Sequence, residues 1–497
     1  MRQFKKLFLH SKRSHLYLLL GILLIGFFFR FYNTPARYSL GDDSTRDGLV
    51  AMVGAQQLQF PLTGPFSSLG PFTFGPWYYY QLIIFSFLPL AYAPWIYLGI
   101  SSLLFIVVMY KIGEELEGKY FGLITALLAA LSPASIQDAT GLSNPNLVPI
   151  FAALSTLLFI KLIKKDRSYW MSFLFGICLG IGMNNHYQMS GLLILVIILL
   201  IYKRRKFLYF LTALLGIFVT FVPLLFFDMN NHWYTVRNMF FYYTEGKKAI
   251  YVPNRWLFYV RDFWPSFWAY VFGLPYAAGV ITFALALLNL GWLWIKKRLN
   301  VQTFLLTVAF LCNFILLRYY WGERGFGYHQ FLYPILFIFF TYLIWSITKI
   351  KFGVFISIGV LLVLFVYMLP VSVDKLKTEA FEAEMQRQKM LITEKYPDQK
   401  LILYNCKDTN KVRAQAITLM LAYEKKIDTS GKKIGLIGGD CLFPKKKTGN
   451  VYPNDGFTVD FSSASEENIL KTGWIPITPE RVSKSVTRWW FTEQPYD

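Results

Sequence analysis

Long apolar segments recur along the first three quarters of the chain. Each holds roughly 15–22 residues, close to the ~20 that an α-helix needs to cross a bilayer. The predicted membrane helices are residues 16–31, 95–110, 120–133, 146–162, 169–185, 188–202, 207–227, 273–294, 302–317, 330–347 and 353–370. From about residue 371 the sequence becomes polar. We therefore predict a polytopic α-helical membrane domain over residues 1–370 and a small C-terminal α/β domain over residues 371–497.

A further apolar stretch, residues 78–93, would raise the number of spans from eleven to twelve. With eleven spans and a cytoplasmic N-terminus, the cytoplasmic loops and adjoining helix ends hold 20 Lys and Arg residues, and the outer loops and adjoining helix ends up to residue 370 hold 10. Lys and Arg are enriched in cytoplasmic loops. The count therefore favours eleven spans, an interfacial or re-entrant helix at residues 78–93 on the outer face, and an extracytoplasmic C-terminal domain. Short basic loops are typical of a multi-pass protein of a bacterial inner or plasma membrane.

The basic N-terminus followed by residues 16–31 resembles a signal peptide. The apolar segment is long for a signal peptide, and no small-x-small cleavage site follows it. We therefore expect an uncleaved first membrane helix.

Composition excludes other classes of protein. Hydrophobic residues make up 55% of the chain and charged residues 16%, whereas soluble proteins average about 25% charged residues. The net charge of +21 raises the question of nucleic-acid binding, but residues 371–497 hold 20 Lys and Arg against 17 Asp and Glu. Most of the excess therefore lies in the loops of the membrane part. No nucleic-acid-binding module is visible, and we predict no nucleic-acid partner.

The first predicted outer loop contains three acidic residues in the run Gly41-Asp-Asp-Ser-Thr-Arg-Asp47. Asp43 and Asp47 are four residues apart, so on a helix they share one face. Such a pair suits general-base catalysis or metal binding. The alternative is that Asp42 or Asp43 caps the helix N-terminus and Asp47 is solvated.

Further polar and aromatic residues are predicted on the same outer face, where the loops are longest. The candidate binding residues are Arg46, Tyr78, Tyr79, Tyr80, Asp138, Asn144, Asn146, His186, Asp228, His232, Arg237, Arg255, Arg324 and His329. Because arginine suits bidentate recognition of phosphate, this composition indicates a phosphate-bearing lipid substrate. Each residue type has an ordinary alternative: an interfacial aromatic belt, arginines reaching for headgroups, or isolated loop residues. No zinc-binding spacing such as HExxH is present.

In their order and sidedness, these motifs resemble the GT-C superfamily of membrane glycosyltransferases. Within it they are most similar to the bacterial protein O-mannosyltransferase and aminoarabinose-transferase-like branch. The resemblance covers residues 1–370. It rests on the Gly41–Asp47 run, Gly75-Pro-Trp-Tyr-Tyr-Tyr80, Ser132-Pro133 with Ser143-Asn-Pro-Asn146, and Asn185-His186-Tyr187.

The resemblance implies that a sugar moves from a polyprenyl-phosphate donor to a protein, lipid or cell-wall glycan acceptor at the outer face. Asp43 best matches the carboxylate that deprotonates the acceptor hydroxyl, and Asp47 is next. Arg237, Arg255 and Arg324 are the expected partners of the departing lipid phosphate, and the donor tail is expected near Tyr78–Tyr80. A divalent cation, held by Asp43 with Asp138 or Asp228, is possible but not favoured, so no metal site is predicted.

The C-terminal domain shows alternating strand and helix patterns. Residues 401–404 and 434–437 are predicted strands, and residues 411–426 are a predicted amphipathic helix. Cys406 and Cys441 each follow a predicted strand, so a disulfide between them is one reading if the strands are neighbours; two free thiols are the other.

Two other functions compete with glycosyl transfer. A secondary transporter or flippase would place charges at the membrane midplane and often shows inverted repeats. A non-catalytic receptor or assembly factor is the third reading. The span interiors contain few ionisable residues and show no clear repeat, so we expect a glycosyltransferase.

Overall fold

The structure is a computed structural model. It describes residues 14–67, 72–165, 168–203, 206–244, 256–319, 325–406, 411–437, 441–446, 449–450 and 458–486. Arg255 and Arg324, both predicted as site residues, lie outside these ranges.

The part of the chain before residue 375 is helical wherever regular structure is described. Its α-helices are Ser14–Phe31, Thr34–Arg37, Asp42–Gln57, Trp77–Phe85, Ala93–Glu117, Lys119–Leu131, Pro133–Asp138, Val148–Lys164, Tyr169–Asn185, Leu193–Tyr202, Leu208–Asn230, Tyr234–Thr244, Trp256–Phe258, Trp264–Phe272, Tyr276–Ile295, Val301–Arg318, Tyr333–Ile347 and Gly353–Asp374. Four short segments, Asn144–Leu147, Tyr187–Leu192, Tyr259–Phe263 and Phe326–Leu332, are 3-10 or π helices that lead into α-helices.

Each of the eleven predicted spans falls on a helix of the structure. Among the described residues, eight helical segments are long and apolar enough to cross a membrane, and Lys119–Leu131 and Tyr187–Tyr202 are shorter apolar helices. In the most apolar stretches of Asn144–Lys164 and Phe326–Ile347, 72% and 78% of the residues are buried, whereas in that of Gly353–Asp374 only 17% are buried. The first two therefore form the centre of the bundle, and the last presents its apolar side chains outward.

The helix Asp42–Gln57, called the first-loop helix below, lies where the first outer loop was predicted. Eleven of its sixteen residues are buried, from Ser44 to Ala55. The short helix Trp77–Phe85 packs against it. This helix stands at the start of the predicted interfacial segment 78–93, and Tyr78 and Tyr79 are fully buried in it.

The C-terminal domain is α/β, as predicted. Its strands are β1 (Leu401–Cys406), β2 (Lys432–Leu436), β3 (Lys445–Lys446), β4 (Gly449–Asn450), β5 (Thr458–Asp460) and β6 (Trp474–Ile477), and its helices are Ala380–Lys395, Lys411–Tyr423, Glu466–Lys471 and Pro479–Val486. The main sheet has the order β5-β2-β1-β6, and β3 pairs with β4. Because β1 and β2 are parallel neighbours, Cys406 and Cys441 come together and form the disulfide that the sequence suggested.

The C-terminal domain packs directly on the first-loop helix. Leu49 and Val53 of that helix share one hydrophobic core with Ile417, Leu419 and Val482 of the C-terminal domain. At Gly48 the approach is so close that an added Cβ would lie 3.1 Å from the Trp95 ring and 3.2 Å from a Leu419 methyl group. The first-loop helix is therefore held between the membrane helices and the C-terminal domain.

Candidate active site

A cavity of about 860 Å³ opens beside the N-terminus of the first-loop helix. Its polar walls include Asp42, Asp43, Arg46, Ser67, Ser143, Asn144, His186, Gln188, Ser190 and Asn313, and its apolar and aromatic walls include Phe66, Phe72, Phe74, Met183, Phe221, Met239, Leu316, Leu317, Tyr328 and Phe331. The cavity thus joins a charged end to a long apolar surface, which suits an amphipathic ligand with a polar head and a hydrocarbon chain.

Asp43 occupies the charged end of the cavity. It lies in the first turn of the first-loop helix, and 62% of its side-chain surface is exposed. Its Oδ1 lies 2.6 Å from Nη1 of Arg46, one helical turn further on. Asp43 is therefore fixed in orientation by a cation and remains open to a molecule in the cavity.

Asp47 lies behind Arg46 and outside the cavity lining. It is 0% exposed. Its Oδ1 accepts hydrogen bonds from Arg46 Nε at 2.8 Å and from the Tyr79 hydroxyl at 2.9 Å, and its Oδ2 accepts one from the Tyr78 hydroxyl at 3.0 Å. The structure therefore places Asp47, Tyr78 and Tyr79 as supports of Arg46, and it does not bring them to the cavity.

The electrostatics of this group follow from its burial. Burial raises the pKa of Asp47, and the neighbouring Arg46 opposes that rise. Although burial opposes it, the carboxylates of Asp47 and Asp43 hold the pKa of Arg46 well above its usual value. Arg46 is accordingly a permanent cation between two carboxylates.

His186 lies in the wall of the cavity between two aromatic rings. It stacks on Phe74 with ring centroids 5.0 Å apart and on Tyr328 at 5.1 Å. Its Nδ1 accepts a hydrogen bond from the backbone N–H of Gln188 at 3.4 Å. Burial, with His329 nearby, lowers the pKa of His186 to about 3. It is thus a neutral wall residue at physiological pH.

The predicted second-loop residues separate into two places. Asn144 lines the cavity, and its Nδ2 donates to the carbonyl oxygen of Asn185 at 2.6 Å. Asn146 instead bonds to Gly141 and Gln330. With the buried Asp138, it lines a separate void of about 10 Å³. Burial raises the pKa of Asp138 to about 8.

The remaining described candidates do not line the cavity. Asp228 is buried and accepts backbone N–H groups of Thr235 and Val236 at 2.9 and 3.1 Å, at the start of the helix Tyr234–Thr244. His232 and Arg237 are exposed. Two aromatic candidates pack elsewhere: Tyr80 lies against Phe60 and Trp77, and the fully buried His329 lies against Phe263 and Phe267.

Several cavity residues were not predicted from the sequence. Asp42, Gln188, Ser190, Asn313 and Tyr328 all line the cavity. The sequence offered a signal for four of them: Asp42 adjoins Asp43, Tyr328 adjoins His329, and Gln188 and Ser190 closely follow His186. Asn313 lies inside a predicted span and carries no local motif.

The described residues around Asp43 do not form a metal-binding group. Among the residues that the structure describes, no three His, Cys, Asp or Glu side chains lie close enough to hold a metal ion together. The direct charged partner of Asp43 is Arg46.

Comparison with known proteins supports the resemblance seen in the sequence. Residues 93–227 match the family described as dolichyl-phosphate-mannose-protein mannosyltransferase. No curated protein matches the chain.

Two solved structures share the fold over most of both chains. ArnT from Cupriavidus metallidurans bound to undecaprenyl phosphate aligns at a TM-score of 0.59 and 12% identity, covering 90% of this chain and 98% of that one. The same protein in the apo state aligns at 0.56 and 13%, covering 89% and 97%. The GT-C-like fold is thereby confirmed.

Proposed function

We propose that this protein is a glycosyltransferase that moves a sugar from a polyprenyl-phosphate donor to an acceptor at the outer face of the membrane. The single observation that carries the proposal is the exposed, cation-fixed Asp43 in a cavity whose lining also includes a large set of apolar and aromatic side chains. A carboxylate so placed is suited to general-base catalysis, and the apolar walls suit the hydrocarbon part of a lipid donor.

The similarities support the same class of donor. The matched family is described by a dolichyl-phosphate-linked sugar, and one structure with this fold holds undecaprenyl phosphate. A transporter or flippase is not favoured, because the charged residues that line the cavity, Asp42, Asp43 and Arg46, lie in the first-loop helix, which is not a candidate span.

The reaction uses Asp43 as the base. Its carboxylate takes the proton of an acceptor hydroxyl while the acceptor oxygen forms a bond to the anomeric carbon. The bond from that carbon to the phosphate oxygen breaks, and its electron pair leaves with the lipid phosphate. Arg46 lines the same end and offers a fixed positive charge to the developing anion.

Among the described residues, Arg46 lines the cavity, and it is not one of the three arginines predicted for this role. Arg237 is exposed and does not line it. Arg255 and Arg324 stay proposals because they lie outside the described residues.

The finer assignments follow from the charge pattern and the resemblance. The donor sugar is a hexose or pentose, and the acceptor is a protein, a lipid or a cell-wall glycan. The excess of Lys and Arg in alternate loops supports a bacterial inner or plasma membrane, a cytoplasmic N-terminus and an extracytoplasmic C-terminal domain.

The decisive experiment compares two neighbouring aspartates. Purified Asp43→Asn should fold and bind a polyprenyl-phosphate sugar as the wild type does, but should transfer no labelled sugar to an envelope extract that supplies acceptors. Asp374→Asn is the control, because it removes the same charge at an exposed pair with Lys377 outside the cavity, whereas Asp42→Asn shows whether the loss is specific to Asp43 within the same turn. Near-wild-type transfer by Asp43→Asn would refute the assignment of the base, and uptake of sugar by vesicles without transfer would favour transport.

A further inference from the structure

The segment that leads into the first-loop helix is anchored from both sides. On the membrane side, the backbone N–H of Ser39 donates to the carbonyl of Thr140 at 3.1 Å, and the Ser44 hydroxyl donates to the carbonyl of Leu142 at 2.9 Å. These two bonds lie on either side of Asp43, at Ser39 and Ser44, and neither binds the backbone between these two residues.

The missing anchor comes from the C-terminal domain. The backbone N–H of Leu40 donates to Oε1 of Glu382 at 3.0 Å. Leu40 is 0% exposed and Glu382 is 7% exposed, so water does not substitute for this bond. A buried backbone N–H without an acceptor is strongly disfavoured. The path of the chain at Leu40, three residues before Asp43, therefore depends on a carboxylate that is 342 residues away in the sequence.

Glu382 is in the first turn of the helix Ala380–Lys395 and does not line the cavity. A carboxylate that is this buried and remote from the ligand space does not act on a substrate. Its Oε1 accepts a hydrogen bond from the main chain of the membrane domain, at Leu40. Nearby, Gln386 Nε2 of the same helix donates to the carbonyl of Pro35 at 3.0 Å. Two residues of this helix therefore bind the backbone of the segment that leads to Asp43.

We propose that Glu382 is a positioning residue of the active site: through the Leu40 N–H it sets where the first turn of the first-loop helix holds Asp43. The C-terminal domain is then a part of the catalytic apparatus and not an appendage to it. The catalytic consequence rests on the proposed function, whereas the anchoring of residues 39–43 does not. A displacement of about 1 Å can cost roughly 100-fold in rate, so loss of this anchor should lower kcat and leave donor binding in the distant apolar part of the cavity unchanged.

The test uses three variants of the full-length protein. Glu382→Leu removes the acceptor, and Glu382→Gln keeps an acceptor oxygen but removes the charge. Glu384→Leu is the matched control: it makes the same change two residues away, where, among the described residues, the carboxylate accepts bonds from Arg387 and Gln388 of its own helix. Hydrogen–deuterium exchange of the peptide containing Leu40 reports anchoring, and sugar transfer with measured donor affinity reports catalysis.

We expect Glu382→Leu to exchange at least ten times faster at residues 39–43 and to lose about 10- to 100-fold in kcat with unchanged donor affinity. Glu382→Gln and Glu384→Leu should behave as the wild type in both. If Glu382→Leu does not fold, Glu382→Asp serves instead, since its oxygen is withdrawn by about one bond length of ~1.5 Å while the charge stays.

Each other outcome is decisive. Unchanged exchange at Leu40 in the folded acceptor-deficient variant would overturn the anchoring, and an equal effect of Glu384→Leu would reduce it to general stability. Faster exchange with unchanged kcat would overturn the positioning role. A wild-type protein without transferase activity would refute the proposed function alone, because the exchange measurement would still decide the anchoring.

Discussion

Replacing Asp47 by asparagine tests whether the buried group behind Arg46 governs the active site. The substitution keeps the size of the side chain and removes its charge. In the wild type, one carboxylate accepts from three donors: Arg46 Nε, the Tyr79 hydroxyl and the Tyr78 hydroxyl. The amide can offer its oxygen to Arg46 and Tyr79, but its N–H₂ group then faces Tyr78.

The free energy can be worked out from these contacts. Charge-assisted hydrogen bonds are about twice as strong as neutral ones, so the bonds from Arg46 and Tyr79 each weaken by about 1 kcal/mol. Tyr78 turns to accept from the amide, and its own buried proton loses its partner at a cost of about 1–3 kcal/mol. Arg46 keeps Asp43 and some solvent, because 17% of its side chain is exposed. We therefore expect a loss of about 3–5 kcal/mol, in the range for breaking a buried ion pair.

The assay is unfolding of the purified protein in mixed micelles, together with sugar transfer. Asp47→Asn should lower the apparent free energy of unfolding and reduce kcat about 10- to 100-fold, because Arg46 is held more weakly and orients Asp43 less accurately. Tyr78→Phe removes the stranded proton, so the double variant should lose less than the sum of the two single variants. Tyr80→Phe is the control, since that ring lies on Phe60.

Two results would refute this reasoning. A change in stability below about 0.5 kcal/mol, the usual size for an unremarkable surface site, would mean that the carboxylate is not charged or not needed. Strict additivity with Tyr78→Phe would mean that the two side chains do not share one network.

Two further predictions concern His186 and the disulfide. The folded pKa of His186 is about 3, against about 6.5 in the unfolded chain. Between these values the unfolded chain binds a proton that the folded chain does not, so wild-type stability should fall as the pH drops through that window. In thermal unfolding His186→Phe should flatten this dependence of stability on pH and the exposed His232→Asn should not; an unchanged dependence in His186→Phe would contradict the assignment. Cys406→Ser should lower the stability of the C-terminal domain by about 4 kcal/mol, since the disulfide joins residues 35 apart. Without reductant, the intact mass of the wild type should be lower by two hydrogen atoms. Replacing the free Cys312 by alanine should leave stability unchanged, and equal stability of Cys406→Ser and Cys312→Ala would contradict the pairing.

The sequence was sufficient where the signal is local. Each apolar run predicted as a span falls on a helix of the structure, because length and hydrophobicity alone decide whether a segment can cross a bilayer. The runs around β1 and β2 located the strands, and their parallel pairing brought the two cysteines together. The short run of acids made Asp43 a candidate, the GT-C resemblance favoured it as the base, and the structure places it in the cavity lining.

The roles of the other candidate residues depend on which parts of the chain bury them, and the spacing of residues in the sequence does not contain that information. Asp43 and Asp47 are equivalent by helical periodicity, yet the first is open and the second is 0% exposed. Asp228 accepts hydrogen bonds from backbone N–H groups, and His329 packs among aromatic rings. In each case the packing of elements distant in the sequence decides the role, which a reading of single motifs does not include.

The first-loop helix shows why one short helix can meet two opposed demands. A general base needs access to its substrate, whereas accurate orientation needs neighbours that do not move. Asp42 and Asp43 stand in the first turn and stay open, and burial begins at Ser44. Arg46 joins the two regions, because it contacts the exposed Asp43 on one side and the buried Asp47 on the other. Rigidity is therefore supplied from the buried turns of the helix, and any change that loosens those turns should act on catalysis before it acts on binding.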